Sequence, residues 1–115
     1  MRITSELWVS AYLKMRNGKD KPSVLIRRGA KEAGAIFVRI DRLDGTHDLY
    51  EPASQLSYSQ KNIDEGDRLF RHALGPVTTF DIMDKLDREL GFDQDIWVVE
   101  SECPEASHDL MLATD

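Results

Sequence analysis

The stretch AIFVRIDRLDGTHDLYE, residues 35–51, decides the fold that the sequence predicts. In its first part Ile36, Val38 and Ile40 alternate with other residues, which is the two-residue period of a β-strand. Side chains at this spacing point to the same side of a sheet. We therefore expect a strand over residues 35–41 whose inner side carries these three apolar residues.

The same stretch predicts a hairpin. Asp44-Gly45 favours a two-residue turn, because both residues tolerate the positive φ that such a turn needs. Ile40 then pairs with Leu49, and both face the core. The predicted pairs are Leu43 with Thr46, Asp41 with Asp48, Ile40 with Leu49 and Arg39 with Tyr50.

Two segments have helical periodicity. Apolar residues recur at helical spacing over residues 5–17 and again over residues 78–90. Thr78 and Asp81 have the spacing of a capping box at the start of the second segment. We predict one helix in each segment.

Further strands are expected on both sides of the hairpin. Short apolar runs at residues 24–26 and 96–99 read as strands, the second of them central in the sheet. Residues 68–73 and 108–112 are weaker candidates, the latter an edge strand. Residues 52–67 are polar and lack periodicity, which predicts a long mobile loop.

These elements predict an α+β fold in a single domain, residues 1–115, with a mainly antiparallel sheet of four to six strands and two helices packed on it. The predicted core consists of apolar side chains from every element. Its members are Trp8, Val24, Ile26, Ile36, Val38, Ile40, Leu49, Met83, Leu86, Leu90, Trp97 and Val99.

Charge is divided unevenly along the chain. The formal net charge is −6, which argues against binding to the phosphate backbone of nucleic acids. Residues 1–50 have a balance of +4, and residues 51–115 a balance of −10. Either the two halves neutralise each other within one fold, or a basic face of one copy meets an acidic face of another.

Cysteine usage and hydropathy indicate the compartment. A lone cysteine, Cys103, cannot close an intrachain disulfide. No apolar run is long enough for a membrane span, and no signal peptide is visible. We expect a cytoplasmic protein that does not associate with membranes.

Four residues of the predicted hairpin form a candidate polar site. Asp41 and Asp48 are like charges placed opposite each other, with Arg39 and Tyr50 beside them. The alternative is an exposed pair that water and Arg39 screen.

Arg27 belongs to a basic group, with Arg28, Arg39 and Arg42, that is able to hold a carboxylate or phosphate, although strand alternation divides this group between two faces. The candidate ligand or partner surface is Arg27, Arg39, Asp41, Asp48 and Tyr50.

The remaining reactive side chains give no motif. His47, His72 and His108 lack the spacing of a zinc site, and a surface or hairpin-edge role is expected for each. Cys103 is expected to be an inert thiol. The sequence predicts no cofactor and no metal.

Three segments resemble an uncharacterised bacterial family, the domain-of-unknown-function family 1491. They are LWVSAYLKMR at residues 7–16, VLIRRGAKEAGAIFVRIDRLDG at 24–45 and FDQDIWVVESE at 92–102. Gln94 stands where this family would have proline. The resemblance implies a bacterial cytoplasmic setting and no reaction.

Two functions follow as hypotheses. The first is a non-catalytic interaction module, with a second copy of the chain or another protein as its partner, that acts through a sheet face or edge and through its charge asymmetry. The second is a small enzyme or ligand-binding protein with a polar site around Arg39, Asp41, Asp48 and Tyr50, closed by residues 52–67.

Overall fold

Residues 3–54 and 68–113 are described by a computed structural model of the chain. In this part of the chain there are two helices, α1 at Ser5–Gly18 and α2 at Thr79–Phe92. The strands are β1 at Ser23–Arg27, β2 at Ile36–Asp41, β3 at His47–Pro52, β4 at Leu69–Val77, β5 at Trp97–Glu102 and β6 at Met111–Leu112.

All of these strands belong to one sheet in the order β1-β5-β2-β3-β4-β6. Neighbouring strands are antiparallel except β2 with β5 and β4 with β6, which are parallel. The α+β fold and its mainly antiparallel sheet are confirmed. Most of the segment predicted as a mobile loop, residues 52–67, lies outside the described residues.

Both faces of the sheet are covered, because α1 packs on one and α2 on the other. On the α1 face, Ile36, Val38 and Ile40 are buried together, which confirms the predicted alternation of β2. The intervening Phe37 is also buried, on the α2 face. The α1-face core is Val9, Tyr12, Ile36, Val38, Ile40, Tyr50, Phe70, Trp97, Val99 and Cys103, and the α2-face core is Phe37, Leu49, Ile82, Leu86, Ile96 and Val98.

The predicted register of the hairpin is wrong by one residue. Ile40 lies opposite Asp48, and Leu49 lies opposite Arg39. Ile40 and Leu49 are both fully buried, but on opposite faces of the sheet. The predicted pairs Leu43 with Thr46, Asp41 with Asp48 and Arg39 with Tyr50 are replaced by Asp41 with His47 and Val38 with Tyr50.

Side-chain hydrogen bonds in the turn explain the different register. Asp41 accepts a hydrogen bond from the backbone N–H of Leu43, and Asp44 accepts one from that of Thr46. Positive φ angles occur at Leu43 and Gly45 rather than at two consecutive residues. Asp side chains that bond to the backbone two residues later favour such turns, so the strands are joined by a longer loop.

Three predicted core residues, Val24, Ile26 and Met83, are instead exposed. The first two lie on β1 at the edge of the sheet, and α2 packs against β3 and β4 without covering β1. Met83 does not belong to the buried residues of α2, which are Ile82 and Leu86. Trp8 and Leu90 are partly buried, and the other predicted core residues are buried.

Two isoleucines test this arrangement. Ile40 is 0% exposed and Ile26 is 52% exposed. Ile40→Ala should lower the free energy of unfolding by about 2–5 kcal/mol, because it leaves a cavity in the α1-face core. Ile26→Ala should change it by no more than about 0.5 kcal/mol. Urea unfolding followed by circular dichroism measures both, and equal losses would contradict the assignment of β1 to the edge.

Candidate functional site

The structure divides the candidate hairpin residues between the two faces. Asp48 and Tyr50 point to the α1 face, and Arg39 and Asp41 to the α2 face. The reason is strand alternation in the observed register, which places residues 48 and 50 on the side of Val38. These four residues therefore do not form one polar site.

Asp48 is the centre of a polar cluster on the α1 face, although only 1% of it is exposed. Its Oδ2 accepts a hydrogen bond from Arg42 Nε at 2.7 Å, and its Oδ1 lies 3.0 Å from His72 Nε2. Both carboxylate oxygens are thus engaged. We call Arg42, Asp48, Tyr50, His72 and His108 the Asp48 cluster.

Irregular pairing between β3 and β4 makes room for this carboxylate. The register shifts on both sides of Leu49, so β4 has extra residues opposite Asp48. Gly75 lies there with a φ of 125°, and a Cβ on it would come within 2.5 Å of Asp48 Oδ1. Glycine is needed at this position both for its backbone conformation and for the close approach.

The protonation of Asp48 and of the ring nitrogen of His72 that bonds to it follows from the local electrostatics. Burial opposes the ionisation of Asp48, but hydrogen bonds from Arg42 and His72 outweigh it and hold the pKa of this carboxyl below its usual range. An ionised carboxylate can only accept hydrogen bonds. His72 therefore carries a proton on Nε2, and its Nδ1 is turned away from Asp48.

His108, like His72, has one ring nitrogen in a hydrogen bond within the protein. Its Nδ1 accepts a hydrogen bond from the backbone N–H of Leu110 at 2.9 Å. Burial lowers the pKa of His108, so the ring is neutral and its proton is on Nε2. The Tyr50 ring contacts both imidazoles, with its centroid 5.2 Å from that of His72 and 4.8 Å from that of His108.

Helix α1 holds the segment that carries His108. The Tyr12 hydroxyl donates to the backbone carbonyl of His108 at 2.7 Å. Arg16 is fully buried and donates to the Asp109 carboxylate and the Ser107 carbonyl, each at 2.9 Å. Hydrogen bonds from Arg16 and Lys19 lower the pKa of Asp109. These contacts fix His108 over the α1 face.

Arg39, His47 and Thr79 form a separate polar group on the α2 face. Arg39 Nε donates to His47 Nδ1 at 3.4 Å, and His47 Nε2 lies 2.6 Å from Thr79 Oγ1. Asp41 Oδ1 is 3.8 Å from His47 Nδ1. His47 is buried and both of its ring nitrogens are engaged, so this group ties the start of α2 to the sheet.

Arg27 is remote from both groups. It ends β1, and its Nη2 donates to the backbone carbonyl of Gln94 at 2.7 Å. The neighbouring Arg28 pairs with Glu6 at 2.7 Å. The predicted basic group is therefore not a single anion site, because its members have separate partners.

The family comparison agrees with this fold. The family described as "Protein of unknown function (DUF1491)" matches residues 3–111. The chain belongs to this family. No curated protein matches it, and the family description gives no activity.

Solved structures from bacteria have the same fold as this DUF1491 protein. The solution structure of protein Atu0922 from A. tumefaciens is 37% identical, covers 100% of this chain and 98% of that one, and has a TM-score of 0.84. A crystal structure of a DUF1491 family protein from Caulobacter crescentus CB15 is 24% identical, covers 99% and 100%, and has a TM-score of 0.77. An NMR structure of a DUF1491 family protein from the same organism is 25% identical, with 99% coverage of each chain and a TM-score of 0.76.

Cys103 is buried under the same segment as His108. Its Sγ lies 3.2 Å from Ser107 Oγ and 3.4 Å from Glu105 Oε2. Burial opposes ionisation of the thiol, but hydrogen bonds from the Ser107 hydroxyl and from the backbone N–H groups of Ser107 and Glu105 outweigh it and lower the pKa of Cys103, although the thiol's own hydrogen bond to the Glu105 carboxylate raises this pKa. Within residues 3–54 and 68–113, no three His, Cys, Asp or Glu side chains are grouped so that they could hold a metal ion.

Neither helix in the described part of the chain is long and apolar enough to cross a bilayer.

Sequence reasoning missed the roles of Arg16, His72 and His108. One signal was present for Arg16, because it follows Val9 and Tyr12 on the buried side of α1, where a charged residue needs partners. The two histidines are far apart in sequence, and only the sheet topology brings them to Tyr50.

Asp48→Asn tests the ionised carboxylate. The folded pKa lies below the ordinary 3.8, so the contribution of Asp48 to stability is present above that value and is lost as the pH falls through the folded pKa. We expect the variant to lose about 2 kcal/mol at pH 7 and the difference from wild type to shrink from about pH 5 downward. Urea unfolding at a series of pH values measures this.

Asp84→Asn is the matched control. Asp84 forms an exposed i,i+4 pair with Arg88, so its replacement should change stability by less than about 0.5 kcal/mol. A stability difference between Asp48→Asn and wild type that stays constant down to pH 2 would contradict the assignment.

Proposed function

We propose that this DUF1491 protein is a non-catalytic interaction module of the cytoplasm that forms a homodimer through strand β1. The observation that carries the proposal is the exposure of three consecutive apolar residues on an edge strand. Val24, Leu25 and Ile26 are 55%, 37% and 52% exposed. Adjacent exposed apolar residues beside unpaired backbone groups favour association with another chain.

Hydrogen bonding to β5 indicates which backbone groups of β1 point outward. The Pro22 carbonyl accepts a hydrogen bond from the Glu102 N–H at 2.8 Å. The backbone N–H and C=O of Val24, two residues later, therefore also point towards β5. The N–H and C=O of Leu25 then point away from β5. On that side β1 has no neighbouring strand within the described part of the chain.

The free edge is short. Asn17 bonds to both the N–H and the C=O of Ser23, at 2.8 Å and 3.1 Å, and so occupies the start of the strand. A register shift between Leu25 and Arg27 leaves Ile26 without a partner on β5. The exposed backbone groups are therefore centred on Leu25.

A second copy fits this edge through a two-fold axis. Two antiparallel β1 strands centred on Leu25 would exchange a pair of hydrogen bonds between their Leu25 residues. Val24 of one copy would lie opposite Ile26 of the other. A two-fold interface of this kind buries the same patch on both subunits and closes the assembly.

Charge supports the same arrangement. Arg27 of one copy would lie opposite Ser23 of the other, and Ser23 pairs with Ser101, which lies between Glu100 and Glu102. In the described residues neither glutamate belongs to an ion pair. Each copy would bring a cation towards an acidic strand, which uses the division between the basic and acidic halves of the sequence.

The interface is small, which sets the expected strength. β1 has five residues, starts after Pro22 and contains a bulge, all of which limit pairing at a sheet edge. A dimer that forms through so small an interface should be weak, and its population should depend on protein concentration.

Analytical ultracentrifugation tests the dimer. Wild type should show a monomer–dimer equilibrium that weakens as salt is raised, because screening reduces the contribution of Arg27. Val24→Lys and Ile26→Lys should abolish dimers, since each places a charge opposite an apolar residue. Both residues are exposed, so the variants should fold as wild type does.

Leu43→Lys is the matched control, because Leu43 is 56% exposed but lies in the β2–β3 loop. It should dimerise like wild type. A wild-type chain that stays strictly monomeric at high concentration and low salt would overturn the proposal, and so would equal effects of all three lysine variants.

The ligand-binding hypothesis gains support only in part. Its four residues lie on opposite faces, which leaves Asp48 and Tyr50 together with His72 and His108. This smaller group is the basis of the next inference.

A further inference from the structure

We infer that the Asp48 cluster binds a small oxyanion, a carboxylate or a phosphate, between the imidazoles of His72 and His108. The two rings contact the same phenol ring, and each has one nitrogen fixed by the protein. His72 Nδ1 and His108 Nε2 are the atoms left to meet a ligand. This site is independent of β1 and of the proposed dimer.

Stability alone does not account for the Asp48 cluster. A buried carboxylate with its cationic partner is seldom more stabilising than apolar residues of the same volume. Here the chain also adopts an irregular β4 and a glycine with positive φ to accommodate Asp48. What this arrangement achieves is the orientation of His72, whose side chain is 41% exposed.

A carboxylate behind a partly exposed imidazole fixes its tautomer and its direction. The hydrogen bond from His72 Nε2 leaves Nδ1 with a lone pair, while the His108 ring keeps its proton on Nε2. When His72 is neutral, its Nδ1 is an acceptor and His108 Nε2 is a donor. A protonated oxyanion has the complementary groups, a hydroxyl and an oxygen.

The surrounding charges favour an anion over a cation. Both nearby carboxylates already have cationic partners, Asp48 in Arg42 and Asp109 in Arg16 and Lys19. The charged groups that act on the Asp48 carboxyl and on His108 include Arg42 from the β2–β3 loop, Arg16 from α1 and Asp109 from the C-terminal segment.

NMR of the imidazole signals tests the site on the wild-type protein, with inorganic phosphate and acetate as probes. The chain has three histidines, and His47 serves as an internal control because both of its ring nitrogens are engaged on the α2 face. Phosphate should shift the signals of His72 and His108 saturably and leave those of His47 unchanged. If acetate does the same, the site recognises any oxyanion; if it does not, a phosphoryl group is the ligand.

Two variants complete the test. His72→Gln should weaken phosphate binding by about tenfold or more, the loss expected for a charge-assisted hydrogen bond. Arg71→Gln is the matched control, because Arg71 is the neighbouring residue but pairs with Glu51 on the α2 face. Shifts that do not saturate, equal shifts of all three histidines, or equal weakening by both variants would overturn the inference.

Discussion

The pairing register of β2 with β3 is the constraint on which the rest of the structure depends. Side chains alternate between faces, so a slip of one residue would exchange every residue of β3 between α1 and α2. The observed register buries Leu49 under α2 and places Asp48 and Tyr50 under the segment that carries His108. Since both faces of the sheet are covered, both sets of β3 residues need partners, and only this register supplies them.

The surroundings of the Asp48 cluster come from the β2–β3 loop, β4, α1 and the C-terminal segment. Arg42 is provided by the loop, His72 by β4, and Gly75 by the irregular pairing that lets β4 pass the carboxylate. Arg16, from within the buried stripe of α1, holds the C-terminal segment in place. The same topology leaves β1 at the far edge, where α2 does not reach. One surface for a small ligand and one for a second copy therefore lie at separate places on the fold.

Local patterns predicted much of this fold, and long-range contacts account for what they missed. The alternation of Ile36, Val38 and Ile40 predicted β2 correctly because these three side chains are buried together on the α1 face, whereas the other face of the strand ends in the half-buried Arg39 and Asp41. The turn was mispredicted because Asp41 and Asp44 bond to the backbone, which Asp44-Gly45 alone does not reveal. The exposure of Val24 and Ile26 was not predicted, because it depends on the position of β1 at the edge of the sheet beside β5. The Asp48 cluster could not be predicted, since its two histidines meet only after β4 and the C-terminal segment have packed.

Interstrand NOEs between Hα protons test the register most directly. The hydrogen bond from the Arg42 N–H to the Thr46 carbonyl fixes the phase of the hairpin, so Arg39 and Leu49 form a non-hydrogen-bonded pair. Their Hα protons should therefore give a strong NOE. A strong Hα–Hα NOE between Ile40 and Leu49, with none between Arg39 and Leu49, would contradict the account, because Asp48 would then belong to the opposite face.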